Sequence, residues 1–137
     1  MHELTYEEIA IGDKASVSKT ISESDVYQFA GITGDFNPIH INKEFAEKSL
    51  FKERVVHGIL TSGLISAVIG MKLPGANTVY LGQTLNFKAP VKIGDTVEAE
   101  VTVIEKKDKH KIIRMETVVR NQRGEVVIDG EATVMKV

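Results

Sequence analysis

Residues 58–70, "GILTSGLISAVIG", are the most apolar stretch of the chain, and nearly everything after them has the pattern of β-strand. A helix that is apolar nearly all round has no solvent-facing side, so it must be buried. At 13 residues it is too short to span a bilayer, and it carries Thr61, Ser62 and Ser66. The helix is expected from about His57 to Met71, stopped by Pro74 and Gly75. Strands are expected at 78–91, at 95–105, at 111–120 and at 125–136. In the second of these, Val97, Ala99, Val101 and Val103 alternate with Glu98, Glu100 and Thr102. One apolar helix against a strongly curved antiparallel sheet is the economical way to bury both. That predicts an α+β chain whose sheet wraps around the helix.

The first 57 residues supply the remaining pieces. Residues 13–21 suit a short strand. "SESDVYQFAGITG" (22–34) opens with Ser22 and has Asp25 three positions later, an imperfect capping box for a helix that Gly31 and Gly34 end. Residues 41–56 suit one short helix and a loop. The 137 residues contain no repeat, linker or low-complexity segment, so one domain over 1–137 is expected.

Charge and composition then exclude several functions. A net charge of −2 with no basic run argues against nucleic acid. The chain has no cysteine, which removes disulfides, thiolate metal sites and a cysteine nucleophile and fits a reducing compartment. "MHELTYEEIA" lacks a basic n-region and an apolar h-region, so a cytoplasmic location without a membrane anchor is expected. The four histidines, at 2, 40, 57 and 110, include no i, i+4 pair, so no metal is expected.

Two stretches carry chemistry. In "GDFNPIH" (34–40), Asp35 and His40 lie five apart around Pro38. Asp, Asn and Pro are common turn residues, and on composition alone a polar turn is the commoner reading. Phe36 and Ile39, however, would pin the loop on a core and set a carboxylate and an imidazole around one water. In "VVHGIL" (55–60), Gly58 opens the apolar helix. The first N–H groups of a helix have no intrahelical acceptor, and a residue without a side chain lets a ligand oxygen approach them. Ser62 and Ser66, one turn apart, most simply back-bond to the preceding turn.

"GDFNPIH", then "VVHGILTSGLIS", then "YLGQTLNFKAPVKIGDTV" resemble, in order and spacing, the MaoC-type hydratases of the hotdog fold, in particular (R)-specific enoyl-CoA hydratases. The resemblance covers nearly the whole chain. It implies that Asp35 and His40 are the catalytic pair that holds and activates a water. It also implies that the Gly58 N–H binds the thioester oxygen. Ser66 falls where some relatives have a serine important for activity; by helix rise it lies about 12 Å from Gly58, so it would shape the site rather than touch the carbonyl. The resemblance further implies no cofactor, an acyl-CoA or acyl carrier protein thioester as substrate, and a homodimer whose sheets join edge to edge. The implied reaction is reversible syn addition of water to a trans-2-enoyl thioester, giving the (R)-3-hydroxyacyl product. A hotdog thioesterase, a 3-hydroxyacyl carrier-protein dehydratase and a non-catalytic acyl-thioester binding module are the alternatives. Which of Asp35 and His40 is acid and which is base stays open at this level, as does acyl chain length.

Overall fold

The computed structural model describes residues 2–137. Strand β1 (Lys14–Thr20) leads into helix α1 (Glu23–Thr33), followed by two short helices, α2 (Pro38–Ile41) and α3 (Lys43–Glu47). The long helix α4 (Gly58–Met71) comes next. The strands β2 (Thr78–Gln83), β3 (Asn86–Phe87), β4 (Thr96–Lys107), β5 (Ile112–Arg120) and β6 (Val126–Lys136) complete the chain. All pairings are antiparallel, in the order β1-β4-β5-β6-β2, with β3 pairing β6 off that path. This is the hotdog arrangement: a curled antiparallel sheet lying around α4.

The alternating residues of β4 form the floor on which α4 lies. Val97, Ala99 and Val101 are fully buried and Val103 nearly so. Ile65, Val68 and Ile69 of α4 join them in one core cluster with Ile113, Met115 and Val119 of β5 and Ala132 and Val134 of β6. Burying such side chains contributes roughly 1.5–3 kcal/mol each, and this cluster dominates the stability of the fold.

At the start of α1 the capping box is complete. Ser22 Oγ accepts from Asp25 N–H at 3.0 Å, and Asp25 Oδ2 accepts from Ser22 N–H at 2.9 Å. Gly34 ends the helix at φ 80°, a left-handed conformation that glycine adopts without a Cβ penalty. This stop sets where the loop that carries Asp35 begins.

Two expectations need correction. The strand expected over 78–91 is broken: β2 ends at Gln83 and β3 is two residues long, with a register shift between Tyr80 and Gly82. The sheet curls around α4 as expected, but the helix is not buried on every side. Ile59 and Met71 are more than half exposed, and Gly63, Ser66 and Gly70 are exposed with them. One sheet covers one side of a helix, and in a single chain the opposite side of α4 stays bare.

Candidate active site

The loop after α1 is folded by its own side chains. Thr33 Oγ1 accepts from Asp35 N–H at 3.2 Å. Asp35 Oδ1 accepts from Asn37 N–H at 3.2 Å, and Asn37 Oδ1 accepts from Ile39 N–H at 3.1 Å. Asn37 thereby caps α2, and Pro38 occupies the first turn, where its missing N–H costs nothing. The polar turn and the ordered loop are thus the same object. Its turn-forming residues are what aim His40.

His40 Nδ1 lies 2.6 Å from the Val55 carbonyl oxygen. A carbonyl only accepts, so Nδ1 carries the hydrogen and the Nε2 lone pair is left free in the neutral ring. Burial pushes the His40 pKa below the ordinary imidazole value, and the neighbouring His57 adds to that. The bond to Val55 and the Asp35 carboxylate oppose it. The net result is a neutral imidazole, the form a base requires.

His57, at the N-cap of α4, is buried. Its Nε2–H donates to the Asp35 carbonyl oxygen at 3.1 Å, and its ring stacks on His40 with centroids 3.8 Å apart and an interplanar angle of 28°. Asp35, His40 and His57 can each offer an atom within 4.8 Å of the others, as metal ligands would. His40 Nδ1 and His57 Nε2, however, are already engaged by the carbonyls of Val55 and Asp35, and the two rings are stacked face on. The geometry suits two rings supporting each other better than chelation.

One peptide further on, α4 begins. The N–H groups of Gly58, Ile59 and Leu60 have no acceptor among the described residues; the first helical bond is Thr61 N–H to the His57 carbonyl at 3.2 Å. His40 and Gly58 line a cavity of about 510 Å³ whose other walls are largely apolar, among them Ile39, Phe51, Val55, Val56 and Phe87. Asp35 is exposed at the rim, beside His40 but outside the cavity walls. Ser66 is exposed on the bare side of α4 and does not reach the cavity in a single chain.

The structure therefore brings Asp35, His40 and Gly58 together and sets Ser66 apart. It adds residues that the sequence reading left without a role. His57 joins the loop to the helix. Thr61, buried with its hydroxyl unpartnered, lines the cavity. Phe87 packs on Gly58.

Residues 8–124 match the family model described as MaoC like domain. The chain belongs to the MaoC-like domain family. Within it, the chain is 51% identical over 130 residues to an (R)-specific enoyl-CoA hydratase of Rhodospirillum rubrum, covering 95% of this chain and 90% of that protein. It is 48% identical over 131 residues to a 3-hydroxybutyryl-CoA dehydratase of Methylorubrum extorquens, covering 96% and 83%. Among solved structures, the unliganded R-hydratase PhaJ1 of Pseudomonas aeruginosa superposes with a TM-score of 0.93 at 46% identity, covering 98% of this chain and 86% of that one. None of the described helices is long and apolar enough to cross a membrane.

Proposed function

We propose that this MaoC-like domain is an (R)-specific 2-enoyl-CoA hydratase, a hydro-lyase that also runs in reverse as a 3-hydroxyacyl-CoA dehydratase. The observation that carries this reading is a neutral His40, its Nδ1 bonded to Val55, beside the Asp35 carboxylate and lining the same cavity as Gly58 at the start of α4.

The chemistry follows from those positions. A water held against Asp35 gives a proton to His40 Nε2 as its oxygen adds to C3 of the enoyl thioester. The pair of electrons from the C2–C3 double bond moves toward the thioester carbonyl. The charge that builds on that oxygen meets the Gly58 N–H. The proton then goes from the Asp35–His40 pair to C2 on the same face, and the pair is back in its starting state. An oxyanion donor contributes about 2.7–4 kcal/mol and acid–base help about 10²–10⁴-fold. No metal or redox group enters this sequence of steps.

A thioesterase would need a water aimed at the thioester carbon rather than at C3. Incubation with crotonyl-CoA separates the readings. Loss of enoyl absorbance without free thiol supports the hydratase, whereas release of free thiol overturns it. Running the assay in parallel with crotonyl on acyl carrier protein assigns the carrier, for which acyl-CoA is proposed. Product coupled to enantiomer-specific dehydrogenases should react as (R)-3-hydroxybutyryl-CoA, at a rate unchanged by EDTA. A signal from the (S)-specific enzyme alone would overturn the stereochemical assignment.

The working form is proposed to be a homodimer in the cytoplasm. Among the described residues the outer edge of β2 is unpaired; that strand carries the exposed Val79 and Leu81, and α4 keeps a bare side. A second copy would close that edge. It would also bring Ser66 against protein rather than water, which is the route left for that residue to influence the site.

A further inference from the structure

His57 touches all three positions on which the proposed chemistry depends. It holds the Asp35 carbonyl through Nε2–H at 3.1 Å and stacks on the His40 ring at 3.8 Å. Its own peptide bond leads to Gly58, and it caps α4 with φ −56° and ψ 129° but no side-chain cap bond. His57 is 2% exposed, its ring packs on Phe29 at 4.7 Å, and its Nδ1 has no hydrogen-bond partner among the described residues. A buried ring nitrogen without a partner costs free energy that an apolar ring of the same size would not. The imidazole therefore has to be justified by what its other nitrogen and its face do.

We propose that His57 is a positioning residue for the hydration step, fixing the Asp35 backbone with its Nε2–H and supporting the His40 imidazole face-on, so that both are registered against Gly58. The proposal rests on the hydratase reading. His57 itself need not touch the substrate, since it is not among the residues lining the cavity. The titratable groups facing His40 are Asp35 from its own loop and His57 from the start of α4, with Lys88 lining the same cavity after β3.

Two variants separate the donor from the ring: His57→Phe keeps an aromatic ring and loses the donor, and His57→Gln keeps a donor and loses the ring. Each should lower kcat for crotonyl-CoA by about 30-fold while KM stays within about threefold, the pattern of a misplaced reacting group rather than a weakened binding site. In His57→Phe, the His40 ring, followed by NMR of its nitrogens, should titrate at a higher pH than in the wild type. The same spectra of the wild type should show His57 protonated on Nε2 with a free Nδ1. A kcat within threefold of wild type in both variants, an unmoved His40 titration, or the opposite His57 tautomer would each overturn the proposal. Loss of the fold in both variants, read by circular dichroism, would overturn it in favour of a packing role. A wild type that does not turn over crotonyl-CoA would remove the hydratase reading itself, an outcome distinct from active wild type with indifferent variants.

Discussion

The ring of Phe87 lies so close to the α-carbon of Gly58 that a β-carbon built there would sit 2.5 Å from Phe87 Cε1 and 2.7 Å from Cδ1. Such a contact is impossible without movement, and Phe87, half exposed on a two-residue strand, is the part that can move. Gly58→Ala is expected to push this ring into the cavity and to lower kcat/KM by about tenfold or more. Adding Phe87→Ala should restore part of the loss, because the two residues share one space and their effects are not additive. A double-mutant cycle on crotonyl-CoA hydration reads this directly; strictly additive losses would show that the glycine matters for some other reason.

Asp35→Asn and His40→Gln should each cut hydration by at least about 10²-fold while leaving the circular dichroism spectrum unchanged. Asp35 is exposed and His40 only partly buried, so neither change opens the core. Near-normal turnover in either purified variant would remove the pair from the mechanism.

The pH dependence has a definite direction. Burial lowers the His40 pKa, so the neutral form persists below the ordinary imidazole value of about 6.5. The acid limb of kcat/KM is therefore expected below pH 6.5. The same shift links to stability: the unfolded chain binds the proton first, so the stability associated with His40 is complete above about pH 6.5 and is lost as pH falls through the folded value. A kcat/KM profile between pH 4.5 and 8 checks the first statement, and denaturant midpoints over the same range check the second.

Ser22→Ala removes one side of the α1 capping box and should cost about 1 kcal/mol, visible as a lower Tm. Turnover at 25 °C should be nearly unchanged, since Gly34 and the hydrogen bonds around Asp35 remain. A large loss of activity would mean that the position of Asp35 is set from the far end of α1 rather than locally.

The dimer is open to sedimentation, which should give twice 15.1 kDa at working concentration. A species of 15.1 kDa would refute the proposed pairing at β2.

What the sequence made legible was local. The capping box of α1 is written in Ser22 and Asp25, three apart, and the floor of the core in the period-two run from Val97 to Val103. The Asp35–His40 loop is legible in its turn-forming residues, which act on near neighbours; of the two apolar anchors expected, only the half-buried Ile39 lines the cavity, and Phe36 is 58% exposed. Other features depend on distant chain. Helix α2 is four residues long, too short for any periodicity to announce it. The break after Gln83 comes from how two short strands share β6, and nothing in 78–91 marks it. The bare side of α4 was hidden because Ile59 and Met71 read as core residues, and small residues such as Gly63 fit either environment. In the sequence His57 stands only at the expected start of the apolar helix, beside Gly58. Its stacking on a residue 17 positions earlier is a tertiary fact with no sequence period.

Within the loop at 33–40 the turn is held by short-range bonds, while Val55 and His57 anchor it from outside. Its geometry is closed by bonds spanning two residues, from Thr33 to Asp35, Asp35 to Asn37 and Asn37 to Ile39. Apart from Ile39 and His40, the cavity wall comes from residues far along the chain, such as Phe51, Val56, Phe87 and Ile128. The carboxylate and imidazole thus come from one stretch, and most of the wall from others. A wall residue such as Phe51, outside both the loop and the Val55–Gly58 segment, is therefore the place to admit a longer or bulkier acyl group while the carboxylate and imidazole keep their supports.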